Sequence, residues 1–271
     1  MSLTDNDTVE RDEVAGVRSN DNSTLVVHQA PRRRWVWLLA GLIAGGACLG
    51  FGYLVATRGL AAMPERVEQA GSDEGVTEID PVLLRTAKLT NLQRFLVIVG
   101  SATALVFAAA AGFLGGGGIR VTVGIVASVL VLMLAVWAAG GWMLDYQEAA
   151  NNDFSGGLLQ TCILHTVQWT IISVAIATAV GIVLGGRWAG GAMLAGFLGG
   201  ALGVVIYVMG GAIYDPTLNL TETIPQPWVP MVIWCVLPPT LAGLVLMRMG
   251  MPLPTTLSNQ DSVATGGIET A

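Results

Sequence analysis

His165 lies inside a long apolar run, and Thr161 and Gln168 share its helical face by the 3.6-residue period, with Trp169 and Ser173 at the edges. An imidazole at membrane depth has two uses. It can bind and release a proton or line the path of a polar solute, or it can stay neutral and hydrogen-bond a neighbouring helix. Asp145 and Asp215 fall in segments expected at the same mouth, where either could partner His165. In another apolar run, Pro238 and Pro239 each remove a helical hydrogen bond and crowd the turn before them. The carbonyls around Trp234 and Cys235 then need Thr240, a water or a neighbouring helix. Broken helices line substrate sites in many transporters, although proline kinks are also purely structural. The candidate polar path therefore comprises Thr161, His165, Gln168, Asp145, Asp215, Pro238 and Pro239.

A second pattern concerns contact rather than chemistry. Gly191, Ala195, Gly199 and Gly203 follow one another at i,i+4 spacing, with Ala192, Gly196 and Gly200 in the next row. Gly41-x3-Gly45 and Gly46-x3-Gly50 repeat the theme earlier in the chain. Small residues in such rows let helix backbones approach closely, either within one chain or across a homodimer face.

Catalytic patterns are missing. The sequence has no G-x-x-x-x-G-K-[ST], no G-x-S-x-G and no H-E-x-x-H. Cys48, Cys162 and Cys235 are scattered in apolar surroundings without C-x-x-C spacing, and read as small core side chains. His28 and His165 have no Cys or Glu at ligand spacing. No catalytic, cofactor-binding or metal-binding residue is assigned, and no enzyme activity is expected.

These residues must be positioned by helices in lipid. Of 271 residues, 53% are hydrophobic and 12% charged, half the charge of an average soluble domain. The net charge of -6 leaves no basic surface to track a phosphate backbone, so nucleic acid is not an expected partner. A bilayer core needs roughly 20 apolar residues in a helix. Six segments qualify, at about 35–56, 95–114, 120–143, 160–184, 189–213 and 228–247, and none contains an acidic residue. Unbroken runs without alternation exclude a membrane β-barrel. The expected fold class is all-α, a polytopic transmembrane bundle of six spans with disordered polar tails at 1–34 and 249–271. The first run follows 34 mostly polar residues and is longer than a signal-peptide core, so it reads as an uncleaved anchor.

Arg32, Arg33 and Arg34 abut the first span and place the N-terminus in the cytoplasm by the positive-inside rule. Alternation then puts Arg120, Arg187 and Arg248 inside, and the loops 144–158 and 214–227, which lack Lys and Arg, outside. The external segment 57–94 disagrees in part, since it holds Arg58, Arg66, Arg85, Lys88 and Arg94. With six spans both termini lie in the cytoplasm of a cell membrane. Trp35, Trp37, Trp142, Trp188 and Trp228 mark span ends.

Within 57–94, Asp80-Pro81 is a helix-start pair, so one helix is predicted from about 81 to 114, and Pro64–Gly71 reads as a short helix. Asn219-Leu220-Thr221 matches a glycosylation sequon. Sliding the chain by 70 residues places Leu114-Gly115-Gly116 on Leu184-Gly185-Gly186, Gly140-Gly141 on Gly210-Gly211 and Asp145 on Asp215. Either the spans are a parallel repeat, or helix hairpins of this length resemble one another.

The sequence thus predicts an integral membrane protein without a catalytic site, a scaffold or accessory subunit working through helix packing. Its partners are the lipid bilayer and either a second copy or another membrane protein. The alternative is a small-solute transporter or channel with a path past His165, Gln168 and the Pro238-Pro239 kink.

Overall fold

Every apolar run becomes one helix, because a chain in hydrocarbon can satisfy its own backbone only that way. The structure, a computed structural model, describes residues 30–59, 81–115, 117–152, 157–215, 220–225 and 228–249. Its helices are α1 (Ala30–Leu54), α2 (Pro81–Gly115), α3 (Gly118–Asn152), α4 (Gly157–Leu184), α5 (Ala189–Tyr214) and α6 (Trp228–Met249). A wider turn, Val55–Gly59, ends α1, and a short tight turn, Gly186–Trp188, leads into α5. All six are long and apolar enough to cross a membrane, and no strand occurs among the described residues. The all-α six-span class is therefore the observed one.

Boundaries differ from the sequence reading at the first and third helices and agree with it at the second. The first helix begins at Ala30, so part of the expected tail at 1–34 is helical. The second is a single 35-residue helix from Pro81, as the proline start signal requires. The third does not stop near Met143. It continues to Asn152, because no Gly or Pro lies between Gly141 and Gly156 to end it sooner, and so occupies more than half of the expected loop at 144–158. The tails 1–29 and 250–271, Asp80, the segment Pro64–Gly71 and Asn219 lie outside the described residues.

Helices α1, α2, α4, α5 and α6 form a ring in which each packs on the next and α6 returns to α1. Helix α3 lies outside the ring, against α2 and α4. Burial follows this plan: 61% of the apolar stretch of α4 is buried, against 22% for α3. Helix α3 accordingly turns Val126, Leu130, Leu134 and Trp137 outward. The basic end of the bundle has Arg34, Arg120, Arg187 and Arg248 and no acid among the described residues. The opposite, acidic end has all four described acids, Asp145, Glu148, Asp215 and Glu222, beside the cations Arg58, Arg85 and Lys88.

Two hairpins turn at the basic end, and each opens on a glycine with positive φ, Gly115 at 152° and Gly185 at 107°. L side chains rarely adopt that backbone, which explains the glycine at both corners. The two positions are 70 residues apart, in register with the offset seen in the sequence. Beyond Asp145 and Asp215 the similarity fades, since α3 runs on to Asn152 and α5 ends at Tyr214.

The glycine rows set the helix spacing. A Cβ on Gly41 of α1 would lie 2.5 Å from the carbonyl oxygen of Pro239, and one on Gly45 would lie 3.0 Å from the Cα of Val236. On the same interface Gly243 of α6 abuts the carbonyl of Trp37. On α5, Gly199 and Gly203 face α6, where a Cβ would meet the Pro238 carbonyl oxygen at 2.8 Å and the Pro238 ring at 2.6 Å. Ala195 is buried on the same row, while Gly191 is half-buried at its start. The second row faces α4, with Gly196 against Ser173 and Gly200 against Trp169. The candidate packing faces are thus occupied within the chain, and α6 is clamped between α1 and α5.

One pair is left over. Gly46 and Gly50 are exposed on α1, with nothing within 4 Å of a Cβ built on either. Leu42 and Leu54 extend that row and are also exposed.

Candidate functional site

The interior of the ring, toward the acidic end, holds a polar cluster built from three helices and a loop. Helix α4 supplies His165, Gln168 and Trp169, all buried, with His165 and Gln168 at 0% exposure. Because α4 sits in the ring and touches α2, α3 and α5, its polar stripe has no route to lipid. Helix α6 supplies Trp234, and α5 supplies Tyr207, whose ring stands edge-on to the His165 imidazole at 4.9 Å. Residues 220–225 form a strap that tucks into the end of the bundle, with Leu220, Thr221, Thr223 and Pro225 buried.

Four hydrogen-bonding contacts join these parts. Nε2 of His165 lies 3.1 Å from the carbonyl oxygen of Leu220. Nδ1 of His165 lies 2.9 Å from Oε1 of Gln168 and 3.1 Å from the indole Nε1 of Trp234. Nε2 of Gln168 donates to the carbonyl of Thr223 at 3.0 Å. Each strap contact spans 55 residues of sequence, so α4 holds the backbone of a segment that leads into α6. From α3, Asn151 accepts a hydrogen bond from the Thr221 hydroxyl at 2.5 Å. Aromatic rings fill the space below: Trp234 packs on Trp169 at 5.1 Å and on Phe95 of α2 at 5.6 Å.

The expected site residues are brought together only in part. His165 and Gln168 meet as the i,i+3 spacing requires. Thr161 is buried on the same face, but its hydroxyl donates to the carbonyl of Gly157 in its own helix. Asp145 does not partner His165. It is exposed and pairs with Arg85 across α2 and α3, whose extensions run side by side past the strap. Both ring nitrogens of His165 are engaged by Gln168, Trp234 and Leu220, which leaves neither nitrogen to Asp215 at the end of α5. Pro238 and Pro239 belong to the α1–α6–α5 clamp. The Thr240 hydroxyl serves Val236 rather than the carbonyls of Trp234 or Cys235. The latter carbonyl faces proline nitrogens at both i+3 and i+4, so neither can donate to it.

Tyr207, Trp234 and the strap carbonyls were not anticipated. Trp234 carried a signal: it lies inside its span, away from the ends where interfacial tryptophans belong. Leu220 and Thr223 carried none, because they contribute backbone atoms.

The arrangement closes the interior. His165, Gln168 and Trp234 have no surface that a water could touch. Trp169 is 2% exposed, and its Nε1–H has no partner among the described residues. At the rim, partial burial pushes the Glu222 carboxyl above its ordinary range, and the Lys88 ammonium of α2 opposes the shift. Among the described residues no three His, Cys, Asp or Glu side chains gather as a metal site would need.

Six apolar helices of spanning length, an outward-facing greasy surface and a polar cluster turned inward define an integral, multi-pass membrane protein. No protein-family model, curated protein or solved structure matches the chain.

Proposed function

We propose that this protein is a non-enzymatic membrane scaffold or accessory subunit that docks on a second copy or another membrane protein. The observation that carries this reading is the pair Gly46 and Gly50. The two rows of α5 and the Gly41–Gly45 pair of α1 are filled by helices of the same chain, whereas this pair lies open on α1 between Leu42 and Leu54. Two glycines at i,i+4 on an exposed helix give a neighbouring helix the close backbone approach on which association in lipid depends. The buried cluster supports the same reading, since its hydrogen bonds tie helices to the strap and leave His165 and Gln168 without exposed surface. The Arg-rich end lies in the cytoplasm of a cell membrane under the positive-inside rule.

The test is a photo-crosslinking side chain in place of Leu42, in native membranes. A discrete adduct with a second copy or one membrane protein, abolished by Gly46→Leu with Gly50→Leu, supports docking. Diffuse adducts that ignore the glycine changes contradict it. Solute passage is the rival reading. It requires the ring to part around His165, and it wins if vesicles carrying the protein pass a solute and His165→Ala stops them.

A further inference from the structure

The hydrogen-bond contacts of His165 cannot all be satisfied at once, and that imbalance has a consequence for proton binding. With the neutral ring protonated at Nε2, the donor reaches the Leu220 carbonyl and Nδ1 accepts from the Trp234 indole. Oε1 of Gln168 then faces the Nδ1 lone pair at 2.9 Å, acceptor against acceptor. Turning the Gln168 amide over only moves the conflict, since Oε1 would then face the Thr223 carbonyl oxygen, which now accepts from the amide nitrogen at 3.0 Å. The other neutral tautomer sets Nε2 against the Leu220 carbonyl and two N–H groups against each other at Trp234. With both nitrogens protonated, Gln168, Leu220 and Thr223 are all satisfied, and only the Trp234 N–H loses its acceptor. Neutral and charged rings therefore each leave one of four contacts unmet, among side chains that are fully buried.

We propose that His165 is a proton-binding site that exchanges partners: the neutral ring is held by Trp234 of α6, and the protonated ring by Gln168 and the strap. The step is simple. In a transient opening of the strap, a proton from the aqueous phase adds to the Nδ1 lone pair; on reclosure the new N–H donates to Oε1 of Gln168, and the indole N–H of Trp234 is released. The charged ring then makes two charge-assisted bonds to the network that carries residues 220–225, and those are stronger than neutral ones. Protonation thus tightens the strap and loosens the tie between α4 and α6. The groups facing the ring suit such a site. Tyr207 presents its ring from α5, Trp234 comes from α6, and Asn151 of α3 reaches only the strap. Glu222 acts on Tyr207 from the rim, Lys88 of α2 acts on Glu222, and Asp215 caps the end of α5. Gln168, Leu220, Trp234 and Tyr207, which contact the imidazole, are all uncharged groups.

This inference is independent of the docking role. It is tested on the full chain in lipid nanodiscs with nitrogen-labelled histidine and tryptophan. The sequence has two histidines, so His28→Asn leaves a single imidazole to observe. At high pH the proton should reside on Nε2. As pH falls, Nδ1 should gain a proton, and the Trp234 indole resonance, assigned with Trp234→Phe, should move in the same titration. Two variants must act in opposite directions. Gln168→Leu removes the acceptor of the new N–H and should weaken proton binding about tenfold. Trp234→Phe removes the competing donor and should strengthen it about tenfold. If either variant fails to fold, the other and the unmodified chain decide the matter. An imidazole that stays neutral until the protein unfolds, a Trp234 resonance indifferent to the titration, or variants that leave the midpoint in place would overturn the proposal.

Discussion

Gly203 of α5 and Pro238 of α6 meet with no space between them: a Cβ on the glycine would stand 2.6 Å from Cγ of the proline ring. The proline that breaks α6 is therefore also the ridge on which α5 lies. One turn earlier Gly199 repeats the contact on the Pro238 carbonyl, while Gly41 receives the Pro239 carbonyl from the opposite side. A side chain at Gly203 must push α5 away from α6. Overpacking of a tight interior costs about 1–3 kcal/mol and more when backbone must move. Gly203→Leu should lower the melting temperature sharply in detergent, whereas Gly46→Leu, which faces open space, should leave it within a degree or two. Equal effects from the two would contradict the assigned packing.

Gln168→Ala leaves the Thr223 carbonyl without its donor in a buried setting. Losing one partner of a buried hydrogen bond costs about 1–3 kcal/mol. The loss should appear first at the strap, as faster hydrogen exchange of residues 220–225 with the helices unchanged. His165→Ala, which removes the Leu220 contact as well, should have the larger effect. A strap as protected as before would show that it is held by other contacts.

Trp169 offers a change in the opposite direction. Its buried Nε1–H has no partner among the described residues, so Trp169→Phe removes an unsatisfied donor and keeps most of the ring against Trp234. Thermal stability should hold or rise by the equivalent of about 1 kcal/mol. A fall of several kcal/mol would mean that the indole nitrogen has a partner after all.

Pro239→Ala should behave similarly. Alanine supplies an N–H to the Cys235 carbonyl, and Gly41 rests on the backbone of residue 239 rather than on its ring. The expected gain is about 1 kcal/mol, typical of one restored hydrogen bond. A loss, read by denaturant unfolding in mixed micelles, would show that the kink itself positions Pro238 against Gly203.

The raised Glu222 carboxyl carries a sign. An acid whose folded pKa lies above its unfolded value favours the folded strap when protonated, and that contribution fades as pH rises through the folded pKa. Strap protection should thus be greater in acid than at neutral pH. Glu222→Gln should remove this part of the pH dependence, while Lys88→Ala should enlarge it by taking away the cation that opposes the shift. A pH profile unmoved by Glu222→Gln would assign the dependence elsewhere.

Much of the architecture was legible because lipid leaves so few options. Run length gave the six helices, and Pro81 gave the start of α2 well outside the apolar stretch. The i,i+3 spacing of His165 and Gln168 gave their contact. What was not legible depends on which helices become neighbours. Asp145 looked like a partner for His165 because both fall toward one end, but Arg85 on the extended α2 stands closer. The glycine rows identified faces made for close contact and could not say that α6 fills them. The strap contributes carbonyls, which every residue has, so no side-chain pattern could point to Leu220 or Thr223.

The most direct measurement of the sealed interior is the transfer of magnetisation from water to the His165 imidazole in membrane-embedded protein, with His28→Asn to isolate the signal. A cluster that ties helices and strap together predicts no water contact at His165, with buildup as slow as at Trp234. Rapid buildup at His165 and Gln168 would reveal a hydrated path through the bundle and would contradict the structural role assigned to them.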